Sequence, residues 1–253
     1  MLSARDVSVV YANGVGALES ANIQIQRGQF VVLLGKSGAG KSTLLRCLNG
    51  LVKPTSGDIH VEAFGSIFES CTKLREHRRR TGMVFQQHHL IGRLTALENV
   101  LMGRLSRYGG LRTLLPFGRS DRLAALEILD RVGLADRALA RADQLSGGQQ
   151  QRVGIARAMA QQPTLMLADE PVASLDPATA VQVLGDLHRI CREDGITTVV
   201  SLHQLDLARR FADRIVGLAG GRVVFSAAPG ELVTESIDTI YAQPAATLPV
   251  AAE

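Results

Sequence analysis

The sequence predicts an α/β fold: a mainly parallel sheet covered by helices, with an antiparallel β subdomain at the N-terminus and an inserted helical subdomain. Three observations predict it. Residues 31–34 (VVLL), 165–168 (LMLA) and 197–201 (TTVVS) are short apolar runs bounded by polar residues. They read as strands buried on both faces, and helical stretches alternate with them, as a parallel sheet requires. Residues 6–11 (DVSVVY) and 21–28 (ANIQIQRG) instead alternate apolar with polar and are joined by a Gly-containing turn, which predicts an antiparallel flap with one wet face. Between Gln86 and Gln161 the period changes again. Residues 94–105 (LTALENVLMGRL) and 121–134 (DRLAALEILDRVGL) place apolar residues three and four apart, as amphipathic helices do. The Gly-, Arg- and Pro-containing stretch 106–121 between them predicts a surface loop or short helix.

These patterns divide a single domain of residues 1–253 into a core of residues 1–85 and 162–228, a helical subdomain of residues 86–161, and a tail of residues 229–253. The tail, ending PAATLPVAAE, has weak periodicity and reads as partly disordered.

Composition narrows the classes. At 46% hydrophobic and 21% charged, the 253 residues suffice for one large core with a subdomain. A net charge of +4 is too small to point to nucleic acid, and no nucleic-acid partner is expected. The densest basic run, residues 73–80 (KLREHRRR), reads as a solvated face or loop, with lipid headgroups or an acidic partner as the alternative. No apolar stretch approaches the ~20 residues needed to cross a bilayer, and the N-terminus carries no apolar signal core. The expectation is a cytosolic chain that cannot itself form a transport path. Cys47, Cys71 and Cys191 are far apart with no CxxC, so reduced thiols in or near the core are expected.

Gly35-Lys36-Ser37-Gly38-Ala39-Gly40-Lys41-Ser42 fits G-x-x-x-x-G-K-[ST], with Thr43 following, after a predicted strand and opening a predicted helix. The glycines let backbone N–H groups converge on phosphates, and the helix presents its partly positive N-terminus to them. Lys41 reaches the β- and γ-phosphates and the Ser42 hydroxyl ligates Mg²⁺ in such a loop. The predicted core is therefore that of an α/β P-loop NTPase. Its natural complement is the pair of carboxylates that ends LMLADEP, residues 165–171. Adjacent acids after an apolar run belong at the C-terminal edge of the sheet, where ligands bind. Asp169 is the Mg²⁺ partner, directly or through water. Glu170 is placed to polarise the water that attacks the γ-phosphate.

Leu145-Ser146-Gly147-Gly148-Gln149 reads either as a second anion site or as an ordinary capped helix start. Ser146 can cap the helix that follows (149–161, QQQRVGIARAMAQ), and Gly147 and Gly148 leave backbone amides uncovered.

Taken together these elements resemble the ABC ATPase family through nearly the whole chain. LSGGQ is similar to the family's signature motif, GKSGAGKST to its phosphate loop and LMLADEP to its metal-binding strand. The resemblance implies further roles. Gln86 in VFQQ matches the glutamine-loop residue, which senses Mg²⁺ and faces the permease. Ser174-Leu175-Asp176 resembles the loop that communicates across a dimer. His203 in SLHQ matches the switch histidine that contacts the γ-phosphate, and Tyr11 fits the aromatic that stacks on adenine. It also implies two copies of the chain, each ATP lying between the phosphate loop of one and the LSGGQ of the other. An integral membrane permease, an extracytoplasmic substrate-binding protein acting through it, and a peripheral place on the cytoplasmic face of the inner membrane complete the implied picture.

Residues 85–105, 169–177 and 194–208 resemble most closely the ATPases of phosphonate or phosphite importers. The stretch 106–121 is part of that likeness, while Ser201-Leu202-His203-Gln204-Leu205-Asp206 departs from the His-Asp ending that most single-chain importer ATPases carry. Other cargoes (an amino acid, a lipoprotein, a cell-division complex) remain the alternative. A non-transport ABC ATPase acting on DNA or ribosomes usually carries two cassettes or long coiled coils. This chain has one phosphate loop, one LSGGQ and no sustained heptads.

Overall fold

The alternating N-terminal segments form β1 (Leu2–Val10) and β2 (Gly16–Ile25), paired antiparallel from Leu2↔Ile25 to Val10↔Gly16. Along β2, Ala21, Ile23 and Ile25 are buried while Ser20, Asn22 and Gln24 face out, so one face of the sheet is wet. The far edge of β1 pairs antiparallel with β4 (Ser56–Val61), which pairs with the short β5 (Gly65–Ser66). A bulge interrupts the β1 register after Ala4, where Asp6 has φ 49° and its backbone N–H donates to Asn22 Oδ1 at 3.0 Å.

The computed structural model of the protein describes residues 2–87, 89–108, 116–233 and 237–240. These form two units, residues 1–78 with 197–253 and residues 79–196. In the first unit the antiparallel sheet just described accompanies a second sheet centred on β3 (Phe30–Leu34). Every residue of β3 is at most 1% exposed, which explains its unbroken apolar sequence. It pairs parallel with β8 (Thr197–Leu202) on one side and β9 (Arg214–Ala219) on the other, and β10 (Arg222–Ala227) closes antiparallel on β9. Helix α1 (Lys41–Leu48) follows β3 and α7 (Leu205–Phe211) follows β8, as parallel pairing requires of its crossovers.

The second unit holds the parallel pair β6 (Thr81–Val84) and β7 (Leu165–Asp169), in register from Thr81↔Leu165 to Val84↔Ala168. Helices α3 (Ala96–Met102), α4 (Arg119–Arg131) and α5 (Gly147–Ala160) pack on one another, and α5 also packs on β6 and on α6 (Pro177–Glu193). Their termini carry the expected chemistry. Thr95 and Glu98 form a capping box on α3, and Asp176 caps α6 by accepting from Thr179 N–H at 3.0 Å, with Pro177 next.

Four expectations need correction. Helix α4 begins at Arg119, inside the stretch read as a surface loop or short helix, and Asp121 is not at the surface but buried, because it pairs with Arg104 at 2.6 Å and accepts from the Tyr108 hydroxyl. Residues 109–115 of that stretch lie outside the described residues. The basic run is not wholly solvated: it lies in α2 (Cys71–Arg79), where His77 is buried against the Leu48 carbonyl at 2.7 Å, and burial lowers its pKa. Cys71 is exposed, whereas Cys47 and Cys191 are buried, with the Cys47 thiol pushed up to about 12 by burial. In the tail, Leu232 and Ile240 are buried, and residues 241–253 lie outside the described residues. Among the described residues no helix is long and apolar enough to cross a membrane.

Candidate nucleotide site

In the first unit the phosphate loop runs from the end of β3 to the start of α1, residues 35–40. Two glycines are dictated by their surroundings. A Cβ on Gly35 would lie 2.5 Å from the Leu218 carbonyl oxygen of β9. Gly40, the N-cap of α1, has φ 99°, and a Cβ there would lie 2.7 Å from the Ala17 carbonyl oxygen. No side chain caps α1 and its first turn holds no acid, so the positive end of its dipole is uncompensated within the helix. Lys36, Ser37 and Gly38 are exposed and Ala39 is buried.

Lys41 is 3% exposed, and its ammonium donates to the carbonyls of Gly35 at 2.8 Å and Lys36 at 3.0 Å. The cation is thus folded back over the loop it must serve. Ser42 is half-buried and Thr43 buried, and the Thr43 hydroxyl shares a 3.1 Å hydrogen bond with the Tyr11 hydroxyl. Tyr11 stands 36% exposed in the β1–β2 turn, closed by its N–H donating to the Val15 carbonyl at 2.9 Å. The structure therefore brings the predicted aromatic to the phosphate loop across 32 residues of sequence. Because Leu34 pairs with Leu202, Gly35 and the exposed His203 leave the same edge of that sheet.

In the second unit the strand ends repeat this arrangement. Val84 pairs with Ala168, so Gln86 and Glu170 each lie two residues beyond the pair, at the C-terminal edge. Gln86 is exposed; Asp169 is 7% exposed, the last residue of β7. Glu170 has φ 44°, in the left-handed region that β-carbon sterics disfavour, and it opens the turn in which Ala173 N–H donates to its carbonyl.

Ser146 is the N-cap of α5, in a reciprocal box: Gln149 N–H donates to the Ser146 hydroxyl at 3.4 Å, and Ser146 N–H to Gln149 Oε1 at 2.9 Å. The Gln149 side chain is thus committed to its own helix. Gly147 is exposed and Gly148 half-buried. The glycines also allow close approach, since a Cβ on Gly148 would lie 2.6 Å from Thr179 Cγ2 and one on Gly147 3.6 Å from Leu175 Cδ2.

As donor types, Ser42 in the first unit and Gln86 and Asp169 in the second offer a hydroxyl, an amide oxygen and a carboxylate, hard donors of the kind a magnesium ion takes. Among the described residues no group of three or more His, Cys, Asp or Glu is placed to hold a metal ion.

Sequence reading missed the Arg104–Asp121–Tyr108 cluster and the buried Gln151. No local signal marks either one. The first joins residues 17 and 13 apart, and the second lies inside a run of three glutamines.

A glycine-rich loop between a buried strand and a helix, with a buried lysine folded over it, defines a phosphate-loop nucleotide-binding protein. More narrowly, the chain belongs to the ABC transporter family, whose model matches residues 18–173. It is 61% identical over 243 residues to the phosphite import ATP-binding protein PxtA of Stutzerimonas stutzeri, covering 96% of this chain and 88% of that one. It is 55% identical to the phosphonates import ATP-binding protein PhnC 3 of Nostoc sp., covering 95% and 92%. Among solved structures, the dimeric post-hydrolysis state of the ATP-binding cassette MJ0796 bound to ADP and Pi matches with TM-score 0.80 at 38% identity, over 90% of this chain and 99% of that one. The structure of cbiO1 from Clostridium perfringens, part of the transporter complex cbiONQ, matches with TM-score 0.81 at 27% identity, over 94% and 92%.

Proposed function

We propose that this chain is the ATP-hydrolysing subunit of an importer for phosphite or phosphonate, working through a separate membrane permease. The observation that carries the reading is the phosphate loop with Lys41 buried across it, in a chain 61% identical to a phosphite import subunit. In this reading the backbone N–H groups of residues 35–43 and the Lys41 ammonium hold the triphosphate, and Tyr11 stacks on the adenine. Ser42, Gln86 and Asp169 hold Mg²⁺, which neutralises charge on the β- and γ-oxygens when bound. Glu170 polarises the attacking water and His203 steadies the γ-phosphate. Chemistry of this type is positioning and electrostatics, with little covalent work for the protein.

The second anion site, Ser146-Gly147-Gly148-Gln149, serves the nucleotide of a second copy of the chain. The dimeric cassette that this chain resembles supports that pairing. Residues near Gln86 meet the permease on the cytoplasmic face of the inner membrane, and an extracytoplasmic binding protein selects the cargo.

Growth of a deletion strain on phosphite, phosphonate or inorganic phosphate as sole phosphorus source tests the reading. Loss of growth on phosphite or phosphonate, restored by the wild-type chain and not by Glu170→Gln, is the expected result. Unchanged growth on all three, in a strain lacking other importers, overturns the cargo.

A further inference from the structure

Three consecutive glutamines open α5, and the structure treats each differently. Gln149 closes the capping box. Gln150 Nε2 donates to the carbonyls of Ala142 at 3.0 Å and Leu145 at 3.1 Å, pinning the segment before the helix. Gln151 is 1% exposed, and neither its Oε1 nor its Nε2 has a hydrogen-bond partner among the described residues. A buried carboxamide without partners is costly, and apolar side chains of the same size were available to the sequence.

Its direction follows from helical phase. Gln151 lies four residues beyond Gly147 and three beyond Gly148, so it shares their face of α5. That face meets Leu175 and Thr179. With no side chain on either glycine, Gln151 is the first side chain α5 offers to the segment from Glu170 to Thr179. That segment begins with Glu170 at φ 44°, and its internal bonds include Ala173 N–H to the Glu170 carbonyl and Leu175 N–H to that of Val172, both at 3.2 Å, and Thr179 N–H to the Asp176 carboxylate at 3.0 Å. A carboxamide can donate to a carbonyl and accept from an N–H of such a turn together.

We propose that Gln151 is a positioning residue for Glu170: in the nucleotide-loaded, paired state its carboxamide bonds the backbone of the 170–176 turn. The helix that carries the 145–149 motif thereby sets the place of the carboxylate in its own chain. Contact of that motif with a second copy's nucleotide is then reported inward to Glu170. The proposal rests on the reading of Glu170 as the residue that acts on the water.

Gln151→Met and Gln151→Leu test it, through the Tm of the nucleotide-free chain, the KM for ATP and kcat. The expected result is a Tm equal to or above wild type, a KM within about two-fold, and a kcat lowered roughly ten-fold or more, as small misplacement of a reacting group produces. Wild-type kcat in both variants overturns the proposal, and means that packing or trapped water satisfies the amide in every state. A lowered Tm in both variants also overturns it, since the amide would then be paired already without nucleotide. Glu170→Gln assayed alongside separates the two readings. Full turnover there removes the role of Glu170 itself, whereas loss there with normal turnover in the Gln151 variants removes only this inference.

Discussion

The chain begins two of its helices with glycine-rich anion sites, and they are finished in opposite ways. Helix α1 has a left-handed glycine as its N-cap and no side chain capping it, with a buried lysine folded across the loop. Helix α5 has a serine N-cap in a complete box with Gln149. An anion suits a helix start that no side chain caps, so on the proposed function α1 is completed by its ligand. In α5 the box satisfies the N–H groups of Ser146 and Gln149 without a ligand and leaves the backbone amides of Gly147 and Gly148 outside it. On the proposed function, α1 holds the nucleotide of its own chain and α5 meets that of a second copy.

Changes away from either helix start should leave this comparison intact, and the largest expected effect is of that kind. Asp121→Ala strands the buried Arg104 guanidinium and should cost about 3–5 kcal/mol in denaturant unfolding. Folded protein should keep its ATP affinity. The wild-type pair also has a pH signature. Burial alone would raise the Asp121 carboxyl, but the Tyr108 hydroxyl and Arg104 outweigh it and hold the group below its ordinary 3.8. A carboxyl lowered in the folded state stabilises fully above the unfolded value and loses that contribution as pH falls through the folded value. Acid titration of stability should therefore fall more steeply below 3.8 in wild type than in Asp121→Ala.

Next in size, Lys41→Ala should weaken ATP binding by roughly 100-fold in calorimetric titration, since hydrogen bonds from a charged donor are worth about 1.5–3 kcal/mol each. The same truncation at the other helix should do something different. Ser146→Ala should lower stability by about 0.5 kcal/mol, the low end for a lost N-cap, because its bond to Gln149 N–H is long at 3.4 Å. Single-chain ATP affinity should not change. Smallest of all, Tyr11→Phe keeps the ring and removes the 3.1 Å bond to Thr43. It should weaken ATP binding by about two-fold at most, the low end for one neutral hydrogen bond.

What could be read in advance follows the range of the interaction. Strand β3 and residues 165–168 of β7 are continuous apolar runs because they are buried on both faces, and β8 is read from its Val199-Val200 centre between hydroxyl residues. The start of α5 was legible because Ser146 and Gln149 form their box across three residues. Helix α4 was placed two residues late because its first turn is anchored by Arg104, 17 residues upstream, a partner no local pattern announces. His77 hides in a basic run because its partner, the Leu48 carbonyl, is 29 residues away. At the candidate site, residue types and spacing named the groups. The folding back of Lys41, the Tyr11–Thr43 bond and the strained φ of Glu170 are products of tertiary structure and needed coordinates.

The division of labour between the two helix starts is tested most directly by sedimentation of Glu170→Gln with ATP, against the double variant Glu170→Gln/Ser146→Arg. The single variant should sediment as a dimer. The double variant should remain a monomer whose ATP affinity, measured by titration, equals that of the single chain. If Ser146→Arg instead weakens ATP binding in the monomer itself, α5 acts on its own chain's nucleotide and the comparison fails.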